Sequence, residues 1–182
     1  MLIEGGASTI QYRDKHAAPA VQLKTAARMQ EMCAAANVAM IINDTPALAN
    51  KIDALGVHVG QSDASIANAR AILGPSRIVG ASAGSIDEAV AAEQAGANYI
   101  GFGHIFPTGS KQKSTQPVGL TALAEACAAV SIPVIAIGGI SMDNVQRILD
   151  SGAWGVAVIG AICSADEPVD ATREFARLVN QM

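Results

Sequence analysis

Short apolar runs and Ala-rich runs alternate seven times along this 182-residue chain, and no other feature constrains its fold as strongly. The apolar runs are as long as buried strands, and the Ala-rich runs between them are as long as helices. Strands that alternate with helices at this spacing predict a parallel sheet covered by helices. The predicted strands occupy residues 9–13, 39–44, 56–61, 77–82, 99–105, 133–139 and 155–162. The predicted helices occupy about residues 18–36, 46–53, 65–73, 85–95, 120–129, 143–150 and 170–181.

The composition favours one α/β domain that covers residues 1–182. Hydrophobic residues make up 51% of the chain and aromatic residues only 3%, so the core must consist of Val, Ile, Leu and Ala. No linker, low-complexity segment or run of charge divides the chain. The three cysteines follow no metal-binding or disulfide pattern, which argues against a zinc site and a disulfide framework.

The charge pattern excludes several classes of partner. A net charge of −4 without a basic stripe argues against nucleic-acid binding. No apolar run approaches the ~20 residues that span a bilayer, and the N-terminus lacks the charged and apolar regions of a signal peptide. We therefore predict a cytoplasmic protein that acts on small molecules without a membrane partner. The oligomeric state stays open, a homo-oligomer included.

Two folds fit a regular parallel sheet, and the strand ends distinguish them. No GxGxxG follows the first strand, which weakens a doubly wound dinucleotide-binding fold. Polar residues and glycines follow all seven predicted strands, and only in a barrel do all these ends converge on one face. We predict a TIM (βα)8 barrel of which this chain holds seven βα units. Residues 1–9 resemble the last turn of a helix followed by a strand, so we expect the missing unit to precede them.

Cationic side chains follow the first predicted strand. Alternation along an extended chain places Gln11, Arg13 and Lys15 on one face. Arg13 could bind a phosphate group with two hydrogen bonds, and Lys15 could add a point charge. The alternative is a surface charge pair with Asp14.

Two carboxylates at neighbouring strand ends predict a Mg²⁺ site. Asn43 and Asp44 end the second strand, and Asp63 follows the third. Mg²⁺ prefers one or two carboxylates together with water and phosphate oxygens. The alternative for each aspartate is a role as helix N-cap.

The run GHIFPTGSK, residues 103–111, predicts a loop that binds phosphate. Thr108 and Ser110 supply hydroxyl groups, and Lys111 could reach a leaving phosphate; Ser82 ends the preceding predicted strand. Pro107 and Gly109 make this loop a candidate lid. The alternative is a solvated turn with a basic tip.

The last two strands predict a second phosphate site. Barrels often bind phosphate through backbone N–H groups of the loops after their last two strands. Gly138, Gly139, Ile159 and Gly160 lie in these loops, and glycine permits a close approach of the backbone.

His58 lies within a strand, where we expect a packed, hydrogen-bonded core residue. No nucleophile elbow or strand lysine indicates covalent catalysis.

These motifs, in this order, resemble the thiamine phosphate synthase family, including its TenI-like relatives. The resemblance covers essentially the whole chain. It rests on the runs QYRDK, IIND, GVHVGQSD, FPTGSK, IPVIAIGGI and GVAVIGAI. Gly84 and Gly160 depart from the family pattern, which has His and Ser at these places.

The resemblance implies a (βα)8 barrel, Mg²⁺ and two substrates, hydroxymethylpyrimidine diphosphate and a thiazole phosphate. Diphosphate leaves first, and the thiazole nitrogen captures the pyrimidine-methyl cation to give thiamine phosphate. The alternatives are a TenI-like thiazole tautomerase or regulator and a truncated, non-catalytic barrel.

The resemblance also assigns residues to the site. Lys111, Arg13 and Ser82 would act in catalysis, and Asp44 and Asp63 would hold Mg²⁺. The residues implied to hold the pyrimidine diphosphate are Gln11, Arg13, Lys15, Asn43, Ser82 and Lys111. Those implied to hold the thiazole phosphate are Thr108, Ser110, Gly138, Gly139, Ile159 and Gly160.

Overall fold

Seven parallel strands form one curled sheet whose strand order follows the chain. The computed structural model describes residues 1–109 and 116–180. The strands are β1 Thr9–Tyr12, β2 Ala39–Asn43, β3 Gly56–Val59, β4 Ile78–Ala83, β5 Tyr99–Gly103, β6 Val134–Ile137 and β7 Gly155–Ala157. A doubly wound sheet reverses its strand order at a switch point, so an order of β1 to β7 excludes that fold. The predicted TIM-like α/β architecture is therefore confirmed.

Helices connect the strands and cover the outer face of the sheet. They are α1 Pro19–Ala35, α2 Pro46–Lys51, α3 Ile66–Leu73, α4 Ile86–Gln94, α5 Gly119–Ala129, α6 Val145–Asp150, α7 Gly160–Cys163 and α8 Pro168–Val179. Two N-caps are serines: Ser65 Oγ accepts a hydrogen bond from Asn68 N, and Ser85 Oγ accepts one from Glu88 N. Each satisfies a backbone donor that the first helical turn leaves free.

Within residues 1–109 and 116–180, the predicted strands are correct in number and slightly too long. The largest error is the last one, because residues 158–162 do not continue the strand and α7 begins at Gly160. The run GVAVIGAI is apolar throughout, and apolarity alone does not separate a strand from a short helix. The run at 99–105 ends as a strand at Gly103, and that at 133–139 ends at Ile137.

The core lies between the sheet and the helices and consists mainly of aliphatic side chains. Met40 and Ile42 on β2, Val57 on β3 and Phe102 on β5 are almost fully buried against this layer. Side chains alternate along each strand, so the residues between them face the inside of the curled sheet. In the described part of the chain, no helix has the length and apolarity to cross a membrane.

At the amino ends of the strands, Arg70 joins the loops that precede β4 and β5. Arg70 on α3 donates hydrogen bonds to the carbonyl groups of Gly74 and Arg77 and, at 2.7 Å, to Asn98 Oδ1. Asn98 Oδ1 in turn accepts a hydrogen bond of 2.8 Å from Val79 N. These bonds fix the loops before β4 and β5 at the end of the sheet opposite the polar strand ends.

Candidate functional site

A row of inward-facing residues crosses four strands. The register pairs Asn43 with His58, His58 with Gly80, and Gly80 with Tyr99. Parallel neighbours in register face the same side of a sheet, so these residues share the inner face. The row lies at the carboxyl end of β2 and reaches the start of β5.

Within the inner face, hydrogen bonds link polar side chains from four strands. His58 Nδ1 is 2.9 Å from the Tyr99 hydroxyl, and His58 Nε2 is 2.9 Å from Ser82 Oγ. Gln11 on β1 hydrogen-bonds the Tyr99 side chain. We call Gln11, Tyr99, His58 and Ser82 the inner polar chain. The prediction that His58 is a packed, hydrogen-bonded residue is confirmed, since it is 8% exposed.

The strand ends beside the inner polar chain surround a charged cleft of about 220 Å³. Five residues predicted from the sequence to act together line it. They are Arg13, Lys15, Asn43, Asp44 and Asp63, joined by Asp14, Gln22 and Thr45. The structure thus brings together the predicted cations and both predicted metal ligands, while their roles stay predictions.

Lys15 pairs with the two carboxylates of the cleft. Its ammonium nitrogen lies 2.6 Å from Asp44 Oδ2 and 3.8 Å from Asp63 Oδ1. The alternative of a charge pair with Asp14 is wrong for Lys15. The Asp14 carboxylate instead accepts hydrogen bonds from the backbone N–H groups of His16 and Ala17, each at 3.0 Å.

Neither cleft aspartate caps a helix through its side chain. Asp63 Oδ2 accepts a hydrogen bond from Gly60 N at 3.1 Å, and the cap of α3 is Ser65. Thr45, not Asp44, precedes α2 as its cap residue. Asp44 has a φ of 65°, a left-handed conformation that is uncommon outside glycine and turns the chain at the strand end. The alternative interpretation of both residues as N-caps is therefore wrong.

The carboxylates of Asp44 and Asp63 affect each other's ionisation, and their pKa values shift in opposite directions. Burial raises the pKa of Asp44, but hydrogen bonds with Lys15 and Asp63 and the charges of Lys15 and Arg13 outweigh it and lower that pKa overall. Burial and the neighbouring Asp44 carboxylate raise the pKa of Asp63. Asp44 thus carries its negative charge readily, whereas Asp63 resists a second negative charge beside it.

The carboxylate pair fits a Mg²⁺ ion that keeps other ligands. In the described ranges, no third His, Cys, Asp or Glu side chain joins Asp44 and Asp63 in a metal-binding cluster. Such a set is too small for a site made of protein ligands alone, but it suits a cation that retains water and phosphate oxygens.

Asn43 presents an unpaired donor to the same region. Its side-chain nitrogen is buried and has no hydrogen-bond partner among the described residues. A buried amide without a partner costs free energy, so native proteins leave one mainly where a ligand or water completes it. The prediction that Asn43 binds substrate is consistent with this position.

The glycines after β6 are explained by packing against the loop that follows β5. A side chain at Gly139 would lie 2.5 Å from the carbonyl oxygen of Pro107, and one at Gly138 would lie 2.3 Å from the Cβ atom of His104. Both glycines have positive φ, 99° at Gly138 and 67° at Gly139. They therefore hold the loop that leads to Thr108 against the end of β6, and a phosphate-binding role for them stays a prediction.

Among the described residues, the other predicted ones do not line the charged cleft. Ile159 is 54% exposed and precedes α7, which begins at Gly160 after β7. Thr108 is partly buried in the loop after β5. Ser110 and Lys111 lie outside the described residues.

Sequence reasoning missed two residues that belong to or contact the inner polar chain. Tyr99 was not singled out, although a tyrosine beginning an apolar strand at an inward position is a detectable signal. Gln61 was also missed, and its side-chain amide donates a 2.7 Å hydrogen bond to the carbonyl oxygen of Ser82. No pattern in one sequence indicates this contact, because it depends on how the loop after β3 folds back.

A curled parallel sheet with a charged cleft at its carboxyl edge defines a TIM-like α/β protein whose functional surface lies where such proteins place it. A family model described as thiamine monophosphate synthase matches residues 1–162. The chain belongs to this family.

Curated relatives and a solved structure agree with this assignment. Thiamine-phosphate synthase of Chlorobium luteolum is 46% identical over 178 residues, which are 98% of this chain and 84% of the relative. The protein of the same name from Salinibacter ruber is 46% identical over 99% of this chain and 79% of its own length. The solved thiamine phosphate pyrophosphorylase from Pyrococcus furiosus superposes with a TM-score of 0.93 at 36% identity, covering 99% of this chain and 86% of that one.

Proposed function

We propose that the protein is a thiamine phosphate synthase, which joins hydroxymethylpyrimidine diphosphate to a thiazole phosphate and releases pyrophosphate. The observation that carries the proposal is the cleft that Arg13 and Lys15 line together with the Asp44–Asp63 pair. This arrangement provides both charges that a metal-bound diphosphate needs. Relatives with this name that are 46% identical over nearly the whole chain support the same reaction.

The chemistry consists of the departure of one polyanion and the capture of one carbon. The bond between the pyrimidine methylene carbon and the diphosphate oxygen breaks, and its electron pair leaves with the oxygen. The thiazole nitrogen then forms a bond to that carbon. The protein must stabilise the charge that develops on the diphosphate, a task for fixed cations and donors.

We assign the stabilisation to cleft residues. Arg13 and Lys15 neutralise charge on the departing group, and Asn43 donates its unpaired amide hydrogen. To these we add Ser82 of the inner polar chain, whose hydroxyl is held by His58. Mg²⁺, when bound at Asp44 and Asp63, would supply further positive charge to the diphosphate oxygens.

We place the thiazole phosphate away from the charged cleft, at Thr108, Ser110 and the loops after β6 and β7 that contain Gly139 and Gly160. The short helix α7 begins at Gly160, so backbone N–H groups at its start can donate to an anion. The loop that carries Thr108 packs directly on Gly139, which brings the two parts of this proposed site together.

Lys111 provides the sharpest test. The protein is incubated with both substrates and Mg²⁺, and thiamine phosphate is measured by chromatography. Lys111→Ala is expected to lower turnover at least tenfold, about 1.4 kcal/mol of barrier. Lys113→Ala removes the same charge two positions further along the chain and serves as the control, with turnover close to that of the unmodified protein. Equal turnover in both variants contradicts the role of Lys111.

A TenI-like thiazole tautomerase is the alternative reaction. The geometry favours the synthase, because a tautomerase has no diphosphate for the Lys15, Asp44 and Asp63 cluster to bind. Tautomerase activity without coupling, in an assay that contains both substrates and Mg²⁺, would replace the proposed function.

We also propose that an eighth βα unit completes a closed barrel. Within the described sheet, β1 and β7 are the edge strands. One further parallel strand between them would pair with both edges, which otherwise expose backbone donors and acceptors. Fusing a βα unit ahead of β1 is expected to raise the melting temperature, and an unchanged melting temperature would contradict the proposal.

A further inference from the structure

The Lys15 ammonium group lies where a cation would neutralise both cleft carboxylates. It is 2.6 Å from Asp44 Oδ2 and 3.8 Å from Asp63 Oδ1, so one positive charge serves two negative groups. The Lys15 side chain is 43% exposed, whereas those of Asp44 and Asp63 are 17% and 21% exposed. The carboxylates are therefore set in the cleft, and the lysine reaches them from its rim.

We propose that Lys15 is an exchangeable internal cation that holds the Asp44–Asp63 pair in the ligand-free protein and leaves it when a metal ion and a diphosphate bind together. This inference rests on the proposed function of the cleft. Its consequence is that the metal and the diphosphate bind cooperatively, and that Lys15 sets the size of this cooperativity.

The charges of the cleft support such an exchange. Lys15 and the two carboxylates carry formal charges of +1 and −2. A divalent metal that enters alone must either displace the ammonium group into water or share the same oxygens with it at close range, and both are unfavourable. A diphosphate removes this penalty, because it offers the displaced ammonium group a new anionic partner beside Arg13.

The backbone around Lys15 is fixed, so the exchange involves the side chain alone. Asp14 accepts hydrogen bonds from the N–H groups of His16 and Ala17. Gln22 on α1 donates hydrogen bonds to the carbonyl oxygens of Asp14 and Ala17, at 2.9 and 3.0 Å. A lysine on a fixed backbone can still move its ammonium group by several ångströms, because its four-carbon stem is flexible.

The competing interpretation is a permanent ion pair that only stabilises the loop. A permanent pair predicts that loss of Lys15 lowers stability without strengthening metal binding. An exchangeable cation predicts that loss of Lys15 strengthens metal binding. Without Lys15, the carboxylates accept the metal more readily even when no diphosphate is present.

Equilibrium dialysis with Mn²⁺ separates the two interpretations, since Mn²⁺ takes the same oxygen ligands as Mg²⁺. Mn²⁺ retained by the protein is measured with and without saturating inorganic pyrophosphate. In the unmodified chain, pyrophosphate is expected to tighten Mn²⁺ binding by a factor within the ~5–150-fold range typical of coupled sites. In Lys15→Met, Mn²⁺ alone is expected to bind at least ~5-fold more tightly, with most of the coupling lost.

Two further variants keep the result decisive. Lys51→Met removes an exposed lysine from the last turn of α2 and should behave as the unmodified chain. Lys15→Gln keeps a polar side chain and replaces the methionine variant if thermal melting shows that the latter is unfolded. Unchanged Mn²⁺ affinity in a folded Lys15 variant overturns this inference alone. Failure of the unmodified chain to retain Mn²⁺ even with pyrophosphate overturns the proposed metal site as well.

Discussion

The Tyr99 hydroxyl joins the two halves of the inner polar chain. It bonds His58 on one side and Gln11 on the other, and burial raises the pKa of Tyr99 well above its ordinary value. The phenol therefore stays protonated and orients its neighbours instead of transferring protons. Through His58, its influence reaches the Ser82 hydroxyl that we assign to the diphosphate.

Removing this hydroxyl should weaken both stability and activity. Tyr99→Phe is expected to lower the free energy of unfolding by about 0.5–1.5 kcal/mol for each hydrogen bond lost and to reduce kcat several-fold, because Ser82 and Gln11 lose their fixed positions. Urea denaturation and the coupling assay provide the measurements. Tyr12→Phe is the control, since Tyr12 lies near Thr25 of α1 on the outer face. Equal effects in the two variants would show that the inner polar chain has no special role.

For single residues, the sequence predicts which side chains belong to the site better than it predicts which of them hydrogen-bond each other. Arg13, Lys15, Asn43, Asp44 and Asp63 were predicted to act together because each lies at or just after the end of a strand, and parallel strand ends meet at one edge. The bonds of His58 could not be predicted, because Tyr99 is 41 residues away and Ser82 is 24 residues away. Such pairs depend on strand register, which one sequence does not reveal.

Among the elements, β4 shows how the strands accommodate the inner polar chain. Gly80 lies in register with Tyr99, and a Cβ atom at Gly80 would lie 2.1 Å from the Tyr99 ring. The tyrosine ring thus occupies the space that a side chain on β4 would take. This contact explains why a glycine interrupts an otherwise good strand sequence.

Gly80→Ala should therefore displace the Tyr99 ring. We expect the free energy of unfolding to fall by about 1–3 kcal/mol, as for other overpacked positions, when measured by urea denaturation. Gly155→Ala on β7 is the matched control, because its Cβ atom would meet Ile135 at an ordinary 3.5 Å. A loss of stability that is as large in Gly155→Ala would trace the effect to strand glycines in general and not to Tyr99.

Element identity was predictable, and element ends were less so. All seven strands were found because apolar runs between Gly-rich and polar segments have little other interpretation in a chain of this composition. The start of α7 at Gly160 was missed, since the residues before and after it are equally apolar. Only the tertiary turn after β7 decides where the strand stops.

In the whole molecule, we expect the carboxyl ends of the strands to serve function and their amino ends to serve stability. The charged cleft lies at the carboxyl ends of the strands, and the Arg70 network ties the loops at the amino ends. In TIM-like proteins, the carboxyl end carries function and the amino end carries stability.

Arg70→Met tests this division. We expect the free energy of unfolding to fall by about 1.5–3 kcal/mol, because hydrogen bonds from a charged donor are lost, while kcat and KM at permissive temperature stay unchanged. Thermal melting and the coupling assay supply the two measurements. Arg28→Met on the exposed side of α1 should change neither. A kcat loss in folded Arg70→Met protein would contradict the separation of the two ends.

The strand order has a consequence for how the molecule is made. Each strand pairs with its neighbours in the chain, and the charged cleft takes its lining from residues 13 to 63. A ribosome delivers these residues before those of β4 to β7, and units of a chain tend to fold as they emerge. The carboxylate pair and its lysine can therefore come together while β4 to β7 are still being synthesised. Lys15 then offsets part of the negative charge of the two half-buried aspartates before any substrate is bound.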